Sequence, residues 1–283
     1  MNLFNRYCFI GCDKSFDESE IVIFGAPFDG TSSYRPGSRF APNKIRLDSY
    51  GLETYSPYLD EDLEEKKIHD SGDLDFTFGN KHVVLDGIKE YTDFLIYNNK
   101  KPVMLGGEHL VTLPAVSSLY EKYNDLVVLH FDAHTDLRTD YMGEELSHAT
   151  VIKQIWNFLG DNRIYQFGIR SGLKKEFHWA IQERHTFINQ FNCNHLNDVV
   201  QQIKDRPVYI TIDLDILDPS IFPGTGTPEP GGITFKEMME AIGTMKNLNI
   251  IGADVVELSP DYDPSGVSTA VAAKIIRELL LIL

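Results

Sequence analysis

Residues 207–215 read PVYITIDLD, a mostly apolar and β-branched run that ends in two carboxylates, Asp213 and Asp215. The same arrangement occurs twice more, in KPVMLGGEH at 101–109 and in LVVLHFDAHTD at 126–136. Near-continuous apolar runs of this length are typical of strands that are buried on both faces of a parallel sheet. The three stretches therefore predict three buried strands, each of which brings polar side chains to its carboxyl end.

The segments on either side predict further strands and helices. Short apolar runs at 21–25, 66–69, 163–168, 185–188 and 249–255 raise the number of predicted strands to eight. Helical patterns mark 84–95, 111–122, 148–158, 196–204, 234–246 and 266–283. The helix at 234–246 opens with a capping box formed by Thr234 and Glu237. This alternation predicts an α/β fold with three layers, α/β/α, around a mostly parallel sheet of about eight strands, in a single domain over 1–283.

Two long segments lack periodicity and are expected to be loops. Residues 26–48 read APFDGTSSYRPGSRFAPNKIRLD, and residues 218–232 hold four prolines and four glycines. Surface turns account for such a composition. Long, rigid loops inside a compact α/β domain more often line a site, however, and we favour that interpretation.

The composition excludes several classes of function. The 283 residues carry 26 Lys and Arg against 42 Asp and Glu, a net charge of −16, which disfavours nucleic acids and anionic membranes as partners. The most apolar stretch, AKIIRELLLIL at 273–283, is interrupted by Arg277 and Glu278 and is shorter than the ~20 residues of a membrane span. Three cysteines are too few for a disulfide framework. We therefore expect a cytoplasmic protein.

The polar residues at the strand ends have the types and spacing of metal ligands. Alternate residues of an extended chain project to one side, and the carboxyl ends of parallel strands meet at one edge of the sheet. Four carboxylates would offset the charge of two divalent cations. Oxygen and nitrogen ligands without thiolates favour Mn²⁺, with Fe, Co or Ni possible and Zn disfavoured. The alternative is a structural polar cluster, in which so many carboxylates would repel one another. The candidate ligands are His109, Asp132, His134, Asp136, Asp213 and Asp215.

Two further residues complete a candidate site. Glu257 follows a predicted strand, where a carboxylate could clamp a planar guanidinium through paired hydrogen bonds, although a structural salt bridge is the alternative. His148 lies in ELSHAT and could shuttle a proton, or it could be a capping or core histidine. His130 lies one step deeper in its strand than Asp132, so we expect it to support a ligand rather than to be one.

Several of these segments resemble motifs of the ureohydrolase family, which comprises the arginases, the agmatinases and their relatives. GGEHL resembles the first motif, usually GGDHS, with Glu108 in place of the aspartate. FDAHTD and TIDLDILDPSIFPGTGTPEPGG resemble the second and third motifs. GTGTPEPGG, the loop at 26–46 and DLRTDYMGEELSHAT are most like bacterial agmatinases. The resemblance extends along essentially the whole chain.

The resemblance implies a role for each residue. The more buried metal would be held by His109, Asp132, Asp136 and Asp213, and the second by Asp132, His134, Asp213 and Asp215. Asp132 and Asp213 would thus bridge two Mn²⁺ ions. Glu257 matches the glutamate that binds the guanidinium, and His148 matches the histidine assigned to proton transfer. Family members usually form trimers or hexamers, which implies a homotrimer or homohexamer here.

The resemblance also narrows the activity. Arginases follow D-x-H-x-D with an Asn-Thr segment that grips the amino acid, whereas this chain has Leu137-Arg138-Thr139. The implied activity is that of an agmatinase, a hydrolase of C–N bonds that converts agmatine to putrescine and urea for polyamine biosynthesis. A metal-bridging hydroxide would attack the guanidinium carbon. Asp136 would pass a proton to the leaving nitrogen, and His148 would relay protons to solvent.

Other interpretations of the substrate and of the function remain open. If Arg138 pointed at the substrate tail, it would repel the ammonium of agmatine and favour the carboxylate of 4-guanidinobutyrate. We expect it instead to turn outward or to pair with Asp140, Glu144 or Glu145. Guanidine and arginine are further candidate substrates. A non-catalytic α/β binding module would show a broken ligand set, whereas all six candidate ligands and Glu257 are present.

Overall fold

The structure is a computed structural model that describes residues 7–77, 79–189, 191 and 193–283. In this part of the chain the strands are β1 (Ile21–Ala26), β2 (Tyr55–Ser56), β3 (Glu61–Asp62), β4 (Ile68–Asp73), β5 (Lys101–Gly106), β6 (Val127–Phe131), β7 (Ile164–Phe167), β8 (Phe187–Asn189), β9 (Pro207–Asp213) and β10 (Asn249–Val256). The α-helices are α1 (Ala41–Ser49), α2 (Lys81–Tyr97), α3 (Thr112–Lys122), α4 (Val151–Leu159), α5 (Lys174–Phe177), α6 (Cys193–Ile203), α7 (Phe235–Met245) and α8 (Val267–Ile282).

Eight of these strands form one sheet in the order β4-β1-β5-β10-β9-β6-β7-β8, and every neighbouring pair is parallel. The predicted α/β fold is thus confirmed, and each of the eight predicted strands overlaps a strand of this sheet. β2 and β3 form a separate two-stranded antiparallel ribbon. Because β5, β10, β9 and β6 are consecutive neighbours, their carboxyl ends lie side by side at the middle of one sheet edge.

Helices cover both faces of the sheet and give the three predicted layers. α2 packs on α3 and α3 on α4, and all three contribute to one buried apolar cluster. On the other face α1 and α7 pack on α8, and α6 packs on α7, around a second cluster. The capping box of Thr234 and Glu237 forms at the start of α7 as predicted. None of the helices in the described part of the chain is both long and apolar enough to cross a bilayer.

One prediction fails in the segment 26–48, which was expected to be a loop throughout. Its last third is helix α1, preceded by a short 3-10 helix at Ser38–Phe40. The buried face of α1 includes Arg46, whose guanidinium Nε donates to Asp70 at 2.8 Å. A charged residue on the core side breaks the apolar periodicity by which a helix is recognised. Pro42 in the first turn is the signal that the sequence does contain.

Candidate functional site

The first strand end is shaped by glycine. Gly106 ends β5, and Gly107 passes so close to another segment that an added Cβ would lie 1.9 Å from the carbonyl oxygen of Phe28. Only glycine permits this approach. The backbone N–H of Gly107 donates to Ala26 at 2.9 Å, and its carbonyl accepts from Glu257 at 2.9 Å. This close packing brings His109, two residues further on, to the centre of the sheet edge.

His109 lies among three carboxylates. Its Nδ1 is 3.2 Å from Asp132 Oδ2, 3.3 Å from Asp136 Oδ2 and 3.3 Å from Asp213 Oδ2. Although this nitrogen is buried, it makes no hydrogen bond. One imidazole nitrogen surrounded by three carboxylate oxygens is a donor set that suits a divalent cation. The structure therefore brings together the four residues that the sequence assigned to the more buried metal.

A second group adjoins the first. His134 Nδ1 lies 2.9 Å from Asp215 Oδ2 and 3.5 Å from Asp132 Oδ1. Asp132 thus presents opposite oxygens to the two groups, as a bridging ligand would. Asp213 presents Oδ2 to the first group, while its Oδ1 accepts the backbone N–H of Asp215 at 2.9 Å. All six candidate ligands lie within these two adjoining groups.

The buried carboxylates of the two groups favour the binding of positively charged ligands. Burial raises the pKa of Asp213 well above its usual range, and the charges of Asp215 and Asp132 raise it further. Burial and the charge of Asp132 raise the pKa of Asp136 to about 7. Ionised carboxylates this close together are unfavourable in a buried site unless cations compensate them. The crowding that disfavours a purely structural polar cluster favours metal ions.

Thr211 and Asp254, which the sequence analysis missed, fix the orientation of the His109 ring through its Nε2. Its Nε2 is 2.9 Å from Thr211 Oγ1, and that hydroxyl donates to Asp254 Oδ1 at 2.6 Å. Because the Thr211 proton is used on a carboxylate, the hydroxyl oxygen accepts from Nε2–H and Nδ1 is left bare toward the carboxylates. Thr211 and Asp254 are polar residues inside buried strands, and that placement is the signal that could have identified them.

Two site residues hold unusual backbone conformations. Asp136 has a φ of 50° and Glu257 a φ of 65°, both in the left-handed region that favours glycine. Neither side chain is small, so both positions carry backbone strain. Both residues line the same cavity, whereas the five other non-glycine residues with positive φ in the described chain do not.

Glu257 lines a cavity of about 380 Å³ together with the candidate ligands His109, His134, Asp136 and Asp213. Its Oε1 accepts the backbone N–H of His109 at 2.8 Å. Burial raises the pKa of Glu257 well above its usual range, and the nearby charge of Glu108 raises it further. A cationic group in the cavity would favour the ionised form. The predicted guanidinium clamp therefore lies in the same cavity as the candidate ligands, with no lysine or arginine paired to it among the described ion pairs.

His148 lines the same cavity at the start of a 3-10 helix, His148–Thr150. Its Nε2 is 3.2 Å from Ser33 Oγ, whereas its Nδ1 is buried and makes no hydrogen bond. Burial lowers the pKa of His148 to about 4, so the imidazole is neutral at neutral pH. A neutral imidazole with one nitrogen unpartnered can take a proton at that nitrogen and release the other toward Ser33.

The loop at 26–37 contacts both Glu108, the residue that departs from the usual family motif, and the backbone of His148. Glu108 is fully buried and accepts three hydrogen bonds from this loop: from the backbone N–H of Thr31 at 2.8 Å, from the Thr31 hydroxyl at 2.6 Å and from the Ser32 hydroxyl at 3.3 Å. The Thr31 hydroxyl in turn accepts the backbone N–H of His148 at 3.2 Å. The expectation that this long segment lines a site is thus met by its first part.

Arg138 does not lie where we expected it. It lines the cavity, and its guanidinium carbon lies 4.3 Å from the centre of the Tyr141 ring. No ion pair in the described residues joins it to Asp140, Glu144 or Glu145, and Glu144 pairs with Lys81 instead. The neighbouring Leu137 is buried in the apolar cluster beneath the site. Of Leu137 and Arg138, only Arg138 therefore reaches the cavity, where its guanidinium lies against the face of the Tyr141 ring.

Known proteins resemble this chain over nearly all of its length. The model of the Arginase family matches residues 19–282. The agmatinase of Bacillus anthracis is 50% identical over 275 residues, which cover 96% of this chain and 95% of that protein. The agmatinase of Bacillus subtilis is 48% identical over 276 residues, with the same coverage of 96% and 95%. A crystal structure from Clostridium difficile, provisionally named an agmatinase, is 53% identical, covers 95% of this chain and 98% of its own, and superposes with a TM-score of 0.93.

Proposed function

The chain belongs to the arginase family, and we propose that within it the chain is an agmatinase, which hydrolyses agmatine to putrescine and urea. One observation carries the proposal: the metal-ligand cluster and the carboxylate of Glu257 face one cavity, with Glu257 Oε1 2.8 Å from the backbone nitrogen of His109. A guanidinium bound by Glu257 is thereby held next to the cluster. Relatives of 50% and 48% identity that are agmatinases support the same substrate.

The donor set fits two divalent cations, for which we propose Mn²⁺. The unpartnered Nδ1 of His109 and the oxygens of Asp132, Asp136 and Asp213 would hold one ion. The second would be held by Asp132, His134 and Asp215, with Asp213 shared between the two. Two such cations would, when bound, supply hydroxide near neutral pH by lowering the pKa of a bound water.

The residues of the chain position the substrate and move its protons. Glu257 accepts paired hydrogen bonds from the guanidinium and keeps its carbon facing the cluster. Asp136 lines the cavity and passes a proton to the leaving nitrogen, which departs as an amine. His148 takes a proton at its unpartnered Nδ1 and releases one from Nε2 toward Ser33. Urea and putrescine are the products.

A second substrate is favoured by one observation. Arg138 lines the cavity, and a fixed cation there would attract the carboxylate of 4-guanidinobutyrate more than the ammonium of agmatine. Its stacking on Tyr141 keeps the guanidinium against the aromatic face. We propose agmatine first because the agmatinase relatives cover nearly the whole chain.

The deciding experiment measures urea release from agmatine, arginine, 4-guanidinobutyrate and guanidine after loading with Mn²⁺. Preference for agmatine that a chelator abolishes is the expected result. Preference for 4-guanidinobutyrate would reject agmatine and keep the mechanism. Silence on all four compounds with two metals bound would reject the proposed activity, and silence without bound metal would favour a binding module.

A matched variant tests the second substrate. Arg138→Leu keeps the length of the stem and removes the cation. If Arg138 anchors a carboxylate, kcat/KM for 4-guanidinobutyrate should fall while that for agmatine stays level or rises. An equal change for both compounds would exclude Arg138 as a specificity determinant.

The remaining parts of the proposal concern the setting of the enzyme. We propose a single catalytic domain over 1–283, a cytoplasmic location, a role in supplying putrescine and assembly into a homotrimer or homohexamer. Light scattering of the purified protein tests the assembly, and a monomer would contradict it. Metal analysis of protein purified without added metal tests the preference for Mn²⁺.

A further inference from the structure

A buried glutamine lies behind the metal cluster. Gln166 sits in β7 between Tyr165 and Phe167 and is 0% exposed. Its amide nitrogen donates to the carbonyl of Thr135 at 2.9 Å and lies 3.0 Å from His130 Nδ1. Its amide oxygen accepts the hydroxyl proton of Thr186 at 2.9 Å. Both N–H groups and the oxygen therefore have partners.

These partners allow only one orientation of the amide. The carbonyl of Thr135 can accept a hydrogen bond but cannot donate one. Turning the amide over would place its oxygen against that carbonyl oxygen and would leave the second N–H without an acceptor in a buried place, which is strongly unfavourable. The nitrogen of Gln166 must therefore face both Thr135 and His130.

Gln166 and Asp132, the partners of the two ring nitrogens, together decide where His130 carries its proton. Since Gln166 donates to Nδ1, that nitrogen must be the bare, accepting one, and the proton of the neutral ring is on Nε2. His130 Nε2 lies 2.8 Å from Asp132 Oδ2. The imidazole therefore donates to the carboxylate that both metal groups share.

We propose that Gln166 is a positioning residue of the metal centre, which holds His130 as a hydrogen-bond donor to Asp132 and keeps its Nε2 from acting as a ligand. The inference rests on the metal centre proposed above. His130 needs such a restraint, because its ligand atom lies within 4.8 Å of those of His109, Asp132 and Asp136. A bare Nε2 at this distance would add a nitrogen donor to an oxygen-rich set.

The restraint has a consequence for metal choice. Oxygen-rich sets suit Mn²⁺, whereas imidazole-rich sets suit Zn²⁺, Ni²⁺ and Cu²⁺. By holding the proton on Nε2, Gln166 keeps the site oxygen-rich. The same amide also holds the carbonyl of Thr135, in the middle of the ligand-bearing segment 132–136. A test must therefore separate the effect through His130 from the effect through Thr135.

The first measurement reads the tautomer directly. In metal-free protein labelled with ¹⁵N-histidine, long-range ¹H–¹⁵N spectra should show His130 protonated at Nε2, with the signal assigned by its loss in His130→Phe. In Gln166→Met, which is similar in shape and cannot donate, Asp132 alone would favour Nε2–H, so part of the proton population should redistribute toward Nδ1. A wild-type ring protonated at Nδ1, or an unchanged ring in Gln166→Met, would overturn the proposal.

The second measurement is a double-variant cycle on metal affinity by calorimetry. Gln166→Met should weaken Mn²⁺ binding about 10- to 100-fold, the usual effect of losing such a partner, and should weaken Zn²⁺ binding less. In a His130→Phe background, Gln166→Met should change Mn²⁺ affinity little. An equal loss in both backgrounds would mean that Gln166 acts through Thr135, which would refute the proposal.

Two controls complete the design. Thr186→Val removes only the bond to the amide oxygen and should leave the His130 tautomer unchanged. If Gln166→Met does not fold, Gln166→Glu keeps the shape and offers Nδ1 an acceptor, which should place a proton on Nδ1; an Nδ1 that stays bare would contradict the proposal. Because the tautomer is read without metal or substrate, its outcome is distinct from failure of the proposed activity.

Discussion

The hydroxyl of Thr31 donates a hydrogen bond to the carboxylate of Glu108, with 2.6 Å between the two oxygens. The same hydroxyl accepts the backbone N–H of His148 at 3.2 Å. One side chain thus joins the strand-end segment that carries His109 to the segment that carries the candidate proton relay. Ser33, two residues after Thr31, is the neighbour of the His148 imidazole.

We expect the Thr31 hydroxyl to matter for turnover more than for metal binding. Thr31→Val keeps the shape but loses both hydrogen bonds, so His148 should be less well placed. The loss in kcat should be about tenfold or more, and smaller than the ~10²–10⁴-fold expected for His148→Ala. Thr31→Ser, which keeps the hydroxyl, should retain most activity. Steady-state kinetics with metal analysis provide the check, and full activity of Thr31→Val would argue against this role.

The pH dependence of stability should report on Glu108. Burial raises its pKa from 4.5 to about 7. Because the folded pKa is the higher one, the stabilisation is present below about pH 4.5 and is lost as the pH rises through 7, by about 3 kcal/mol in all. Glu108→Gln cannot titrate, so its free energy of unfolding relative to wild type should rise by that amount between pH 5 and 8. Urea denaturation in chelator measures it, and a difference independent of pH would exclude the raised pKa.

The bridging carboxylates should control metal stoichiometry. Asp132→Ala and Asp213→Ala each remove a carboxylate that we propose serves both metals, so neither variant should bind two metals tightly. Asp140→Ala, at an exposed carboxylate just beyond the ligand segment, is the matched control and should bind two. Calorimetry and metal analysis make the comparison. Two tightly bound metals in both bridging variants would refute the assignment.

Glu257→Gln should separate substrate binding from metal binding. The amide oxygen can still accept the N–H of His109, so two metals should bind as in the wild type. Loss of the buried charge opposite a guanidinium costs about 2 kcal/mol or more, which corresponds to a fall in kcat/KM of at least about 30-fold. Wild-type kcat/KM for agmatine in this variant would show that Glu257 is not the clamp.

The strands could be predicted from the sequence because each of the central ones is an apolar, β-branched run. A strand that is buried on both faces needs apolar residues at nearly every position, and β9 and β10 are almost wholly buried. α1 escaped prediction because Arg46 lies on its buried face and is neutralised by Asp70, a partner 24 residues away. A salt bridge between residues so far apart in sequence produces no apolar periodicity from which the helix could be predicted.

The candidate ligands could be predicted because they lie in three short segments, each directly after an apolar strand, with the residue types and spacing of metal ligands. The supporting residues could not, because their partners are distant: Thr31 lies 77 residues from Glu108, and Thr186 lies 20 residues from Gln166. Arg138 was misplaced for a related reason. The sequence offers it three nearby carboxylates, whereas the fold offers it the face of Tyr141.

The left-handed backbone conformation at Asp136 and Glu257 affects how these two positions can evolve. Each conformation costs a residue with a side chain about 1–2 kcal/mol more than it costs glycine. Relief of backbone strain alone would favour glycine at both positions, so the contacts and chemistry of the two side chains oppose that drift. A descendant released from the reaction would relieve this strain by exchanging Asp136 for glycine, whereas at Glu257 the exchange would also lose the hydrogen bond from His109.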